Sequence, residues 1–140
     1  MATEASNRIK YRIANGDIAF DSDTFKCALM AAGFVFNKDS HHGYADISAS
    51  ELATAYGYTA GGATLSGVTV TEDDTNDRTA ITWTNPSWTA SGGNIVTAGA
   101  IIYDDTASDD PIVGYIDFVT SQTTLDGGVF TISGVKVYIT

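Results

Sequence analysis

The sequence predicts an all-β protein, an antiparallel β-sandwich of about eight strands with at most one short helix; a jelly roll is one form it could take. Three observations carry this. Apolar and polar residues alternate with period two through most of the chain, which is the signature of half-buried strands. Thr, Ser and Gly, rather than charged residues, fill the polar positions, so that only 17% of residues are charged. Clusters of Gly, Asn and Asp interrupt the alternation at short intervals, as turns do. The 140 residues fit a single domain, 1–140, able to fold on its own core, and no repeat or linker divides it.

Taken in order, residues 8–14 alternate Ile9, Tyr11 and Ile13 with Arg8, Lys10 and Arg12. On a strand this makes one apolar face and one basic face, so residues 1–16 read as an N-terminal docking strand or arm. Asn15-Gly16-Asp17 turns the chain, and a second alternating run places Phe25, Cys27 and Leu29 on one side. Gly33 precedes the aromatic run Phe34-Val35-Phe36. Residues 37–64 are irregular; Ser48 to Glu51 matches a capping box, and one or two helical turns or an extended loop could follow it. Val68 and Val70, the polar turn Glu72 to Asp77, and Ile81 and Trp83 form a hairpin pattern. Residues 95–103 are apolar on both faces, which marks a central strand covered on two sides. An acidic loop, Asp104 to Pro111, leads to a second such strand with Ile112, Ile116 and Phe118. Phe130 and Ile132 are out of phase with Val135, Val137 and Ile139, so either a bulge or a junction between two strands falls at Ser133-Gly134.

Charge narrows the partners. The formal net charge is −10, which repels phosphate backbones and anionic lipid, so neither nucleic acid nor membrane is an expected partner. Up to residue 40 five basic residues match five acids; beyond it Arg78 and Lys136 face twelve. The bland reading of that surplus is solubility; the functional one is a basic N-terminal segment that docks on an acidic partner. The single cysteine, Cys27, lies among apolar neighbours and reads as a buried thiol. The first five residues carry no apolar signal region, so synthesis and folding in a cytosol, or in a compartment supplied from one, are expected.

The chemistry-bearing residues do not assemble into a catalytic pattern. His41 and His42 are adjacent and lack a second ligand cluster, so they read as an exposed loop pair. The groups Asp73, Asp74, Asp77 and Asp104, Asp105, Asp109, Asp110 do not have calcium-loop spacing and read as solvated turns. Asp117 is the lone strand carboxylate, whereas sugar hydrolysis needs two across a groove. No nucleophile elbow or phosphate loop is present. The expectation is therefore a non-enzyme without cofactor or metal. Trp83, Trp88, Tyr56 and Tyr58 could stack on a sugar, although aromatics in a sandwich more often serve core or interface.

Several segments, in this order, resemble a group of small structural proteins encoded by tailed bacteriophages. They are Asp23 to Met30, Gly57 to Leu65 with Val68-Thr69-Val70-Thr71, Asp74 to Arg78 before Trp83, Ser87-Trp88-Thr89, Ala98 to Tyr103, Ile112 to Phe118 and Gly128 to Ile132. The similarity spans residues 18–134 or so, and each motif is weak singly. It implies a virion protein, of capsid decoration, cement or head-fibre type, made in the host bacterial cytoplasm. The expected partner is the major capsid protein, with a homotrimer on the capsid surface. The alternative is a tail or fibre component that binds host-surface carbohydrate. The resemblance brings no catalytic residues. Candidate contact residues are Arg8, Ile9, Lys10, Tyr11, Arg12, Ile13, Tyr56, Tyr58 and Trp88.

Overall fold

The computed structural model describes residues 2–140. The fold is the all-β sandwich expected, with ten strands rather than eight and two short helices rather than one. Strands β1 (Ala2–Ala5), β2 (Phe25–Met30), β3 (Ala63–Thr64), β7 (Ile95–Asp104) and β8 (Ile112–Thr124) form one sheet in the order β1-β8-β7-β2-β3. β4 (Thr69–Asp73), β5 (Arg78–Thr82) and β10 (Lys136–Ile139) form a second, in the order β10-β5-β4. β6 (Ser87–Thr89) pairs with β9 (Val129–Thr131). All pairings are antiparallel. Two hairpins of consecutive strands, β4–β5 and β7–β8, each stay within one sheet, so the chain does not wind back and forth in jelly-roll fashion.

The five-stranded sheet is covered on both faces, as the apolar run at 95–103 required. One face, with Phe25, Cys27, Leu29, Ala100, Ile102, Val113 and Ile116, packs against Ile81, Trp83, Trp88, Val135 and Val137 of the smaller sheets and their flanks. The other face, with Ala28, Met30, Ile101, Tyr103, Ile112 and Tyr115, is covered by Ile47, Tyr44, Phe34 and Phe36. Along β8 the two faces change phase at Val113. Ile102 opposes Gly114 and Tyr103 opposes Ile112, so Val113 is an extra residue, a bulge that lets Val113 and Ile116 face one core and Ile112 and Tyr115 the other. A larger irregularity follows, where Thr97 opposes Gln122 but Gly99 opposes Asp117. At the junction of Ser133 and Gly134 it is two strands that abut: β9 and β10 belong to different sheets.

Residues 8–14 are not a strand. They lie in helix α1 (Asn7–Asn15), and the caps explain why. Ser6 is extended and its hydroxyl accepts the Ile9 N–H at 3.0 Å, while donating to the Ile112 carbonyl. Gly16, at φ 78°, closes the other end by giving its N–H to the Arg12 and Ile13 carbonyls. Six alternating residues fit either period, and the end signals decide for the helix. The docking arm expected at 1–16 is likewise replaced: Ala2–Ala5 is the edge strand β1, in register with Asp117 to Gly114. That strand has almost no side-chain signal and is held by its backbone ladder.

Of the two readings left open after the Ser48–Glu51 box, helical turns or an extended loop, the structure has the loop. Helix α2 (Tyr44–Ile47) comes before it, and Ser48–Ser50 is a 3-10 turn. Asp46 supplies the cap, accepting the backbone N–H of Gly43 and His42, and these bonds hold its carboxyl below the usual range. Glu51 instead bridges Met30 and begins a loop along the β2 edge. That loop returns through Gly62 at φ +83°, where a Cβ would lie 2.1 Å from the Cys27 carbonyl oxygen, so only glycine fits there.

Two outcomes test this architecture. Ser6→Ala removes a helix cap and leaves a buried carbonyl unpaired, and should cost about 1–3 kcal/mol in chemical denaturation; on a docking strand the change would be near neutral. The Cys27 thiol is wholly buried, and burial pushes it up to about 12. It should therefore resist a thiol reagent at neutral pH until the protein unfolds.

Candidate functional site

The helical geometry redistributes the predicted contact residues. At 100° per residue, Arg8 and Arg12 share one side of α1, and both bind Asp109 of the acidic loop, Arg8 at 3.0 Å. Arg12 also pairs with Asp17 at 3.4 Å. These pairs hold the Asp109 carboxyl below its usual range although burial acts the other way. The two arginines thus pin α1 to the loop. Ile9 is fully buried and Tyr58 and Trp88 are core residues, so none of the three offers a surface contact. Tyr11, Ile13 and Tyr56 are exposed. Trp83 is buried as well, which leaves Tyr56 as the exposed member of the proposed sugar-stacking set.

Lys10 points elsewhere. It lines a cleft of about 310 Å³ with Thr3, Glu4, Ala5, Lys38, Arg78 and Tyr138. Here the edge of the large sheet, β1, meets the edge of the second sheet, β10. Arg78 lies 3.5 Å above the Tyr138 ring, and Lys136 flanks the same ring at 5.6 Å. Lys38 and Arg78 have acidic neighbours, Glu4 at 3.4 Å and Asp73 at 2.8 Å. Neither Lys10 nor Lys136 forms an ion pair among the described residues. Four of the seven lysines and arginines therefore gather at one corner of a molecule whose net charge is −10. Only Lys10 of this group was singled out from the sequence. Lys38, Arg78 and Lys136 come from a loop and two strands remote in the chain, and no local pattern marks them as neighbours.

A second cluster, also not foreseen, is built on Glu51. Its carboxylate accepts from the Tyr44 hydroxyl, from the Tyr58 hydroxyl at 2.5 Å and from the Gly61 N–H at 2.7 Å. The Tyr58 oxygen in turn accepts the Leu29 N–H at 2.9 Å, and the Tyr103 hydroxyl donates to the Gly61 carbonyl at 2.6 Å. Tyr44 stacks on Tyr103 with ring centroids 4.7 Å apart. Burial, reinforced by Glu51, raises the Tyr44 phenol to about 12 and raises Tyr58 further. Tyr58 belongs to one core and Tyr44 and Tyr103 to the other, so Glu51 ties the two together around the edge of the sheet. Its hydrogen bonds fasten the 51–62 loop rather than present a reactive group.

Among the described residues no three His, Cys, Asp or Glu side chains are placed to hold a metal ion, and no helix is long and apolar enough to cross a membrane. Asp73 is occupied by Asn76 and Arg78, bonds that hold its carboxyl below the usual range. His41 Nδ1 accepts the Asn37 N–H at 3.1 Å, and its ring stacks on Phe34. No protein-family model, curated protein or solved structure matches the chain.

The Glu51 cluster gives a contrast that can be measured. Tyr58→Phe strands the buried Leu29 N–H and removes a donor from Glu51, and should cost about 1–3 kcal/mol. Tyr44→Phe leaves Glu51 with two donors and should cost less in the same denaturation series.

Proposed function

We propose that this protein is an assembly subunit that attaches to an acidic protein surface through the corner formed by α1, β1 and β10. The setting is the one the resemblance implies: decoration or cementing of a bacteriophage capsid, with the major capsid protein as partner and a homotrimer as the attached form. The observation that carries the proposal is the gathering of Lys10, Lys38 and Arg78 around one cleft of a strongly acidic chain, with Lys136 against the Tyr138 ring that lines it. Such a localised positive patch steers an acidic partner and fixes orientation while the remaining surface repels other contacts. The scaffold behind it supports the reading. Lys10 stands on α1, Arg78 on β5 and Lys136 on β10, so three of the four cations sit on regular structure rather than on a free arm.

The cations serve association better when they are weakly neutralised at home. Lys38 and its partner Glu4 are each about half exposed, at 49% of side-chain area, so their pairing contributes little to stability and is easily exchanged for an intermolecular one. Exposed Tyr11 and Ile13 on the neighbouring helix offer apolar area to the same contact.

Removing residues 1–16 would take Ile9 out of the core, so charge reversal is the cleaner experiment. Lys10→Glu with Lys38→Glu should leave the far-ultraviolet spectrum unchanged and weaken binding to purified phage shells by about tenfold or more at moderate salt. Binding by the unaltered protein should fall as salt rises. Undiminished shell binding by the double variant would remove this corner as the attachment site. Failure of the unaltered protein to bind any shell or tail would remove the virion reading itself.

A further inference from the structure

The chain holds one carboxylate that its surroundings do not explain. Asp104, the last residue of β7, is fully buried, and its Oδ2 has no hydrogen-bond partner among the described residues. Its other oxygen, Oδ1, accepts the Thr106 N–H at 2.7 Å. A buried, unpaired, charged oxygen is costly, by more than a neutral one would be. Either a positive charge compensates it or the group is not charged.

No basic side chain compensates it. Lys26, on the adjacent strand, pairs with Asp105 at 3.3 Å. Arg8 and Arg12 of α1 are engaged with Asp109. Asp105, Asp109 and Asp110 in the same loop add negative charge. The group that does reach Asp104 is another acid. Asp23, from the 16–24 loop, comes within hydrogen-bonding reach of it. The backbone enforces this approach: Phe25 stands opposite Asp104 in register, Asp105 gives its N–H to the Thr24 carbonyl at 2.8 Å, and Thr24 gives its N–H to the Thr106 hydroxyl at 2.8 Å. One oxygen of Asp23 is already used by the Ala19 N–H at 2.8 Å.

We infer that Asp104 keeps its proton in the folded protein and donates it to Asp23, forming a pH-sensitive latch between the 16–24 loop and the acidic 104–111 loop. The proton turns a repelling contact into an acid donating to a carboxylate, which satisfies the orphaned oxygen. Burial first, and Asp23 after it, raise the Asp104 carboxyl from its ordinary 3.8 to about 6, the direction the latch requires. A metal ion in place of the proton would need more ligands than two carboxylates supply, and among the described residues no third acidic or imidazole group joins them.

The sign of the effect follows from proton counting. The folded state holds the proton to higher pH than the unfolded chain does, so this contribution to stability is complete below the ordinary carboxylate range and is lost as pH rises through about 6. Asp110, raised by burial and by Asp105 and Asp109, acts in the same direction, whereas Asp46, Asp73 and Asp109, all lowered, act in the opposite one and at more acidic pH. Above the transition the two loops repel, and the Asp105–Thr24 and Thr24–Thr106 bonds are the ones exposed to opening. Arg8 and Arg12 then keep α1 attached to the far end of the acidic loop, so the opening is confined to the latch.

Carboxyl-carbon NMR titration of the unaltered protein, with thermal unfolding of Asp104→Asn and Asp23→Asn, tests this directly. The Asp104 signal should titrate near pH 6. The unaltered protein should lose several degrees of unfolding midpoint between about pH 5 and about pH 8, and Asp104→Asn, whose amide can donate to Asp23 at any pH, should lose much less and be the more stable at the higher pH. If either variant fails to fold, the titration decides. An Asp104 signal that titrates in the ordinary carboxylate range, or equal pH dependence in the variants and the unaltered protein, would overturn the latch. So would a calcium-induced rise of the unaltered protein's midpoint at the higher pH that Asp104→Asn does not share, because that would assign the pair to a cation.

Discussion

The structure rests on the burial of both faces of three adjacent strands, β2, β7 and β8. A sheet that exposes one face needs one layer of partners; this one needs two, and the rest of the chain is distributed to provide them. The smaller sheets lie on one side and α2 with the Phe34–Phe36 segment on the other. This explains the phase change at Val113, which allows a single strand to present large side chains to both layers. It also explains the work done by Glu51, whose loop crosses the sheet edge between the layers and must be tied down just before β3 begins.

Much of this was legible in the sequence. The apolar run at 95–103, the polar hairpin turn after Val70 and the phase switch at Ser133-Gly134 report backbone direction through side-chain alternation, and alternation is a local property. Helix α1 was misread because Ile9, Tyr11 and Ile13 alternate over a span too short to separate period two from period 3.6. Ser6 and Gly16 held the deciding information, since each satisfies backbone groups that only a helix leaves unpaired. Strand β1 had no comparable signal, because Ala2–Ala5 is recruited by the free edge of β8 rather than by its own side chains.

The candidate site was less legible than the fold, for a physical reason. Lys10, Lys38, Arg78 and Lys136 are brought together only when two sheet edges meet, and each alone looks like an ordinary solvated lysine or arginine. The same holds for Asp23 and Asp104. One lies in a turn and the other in an acidic run; what sets them apart is the burial of Asp104 and the approach of Asp23 to it, which no short window of sequence reveals. Conversely Trp88 and Tyr58, which looked like contact residues by type, are consumed by the core. Residue type located the aromatic payload, and topology decided which side of the surface it fell on.

The position of β1 also orders events in time. Its partner residues, Asp117 to Gly114, lie more than a hundred positions along the chain, and they present an edge only once β7 and β8 have paired. Residues 2–5 thus wait for a partner far along the chain, and closing so long a loop is intrinsically slow. While that edge of β8 is open it is a template for another extended segment, including β1 of a neighbouring copy. Docking of β1 covers it, so this short strand works as a bolt on the sheet.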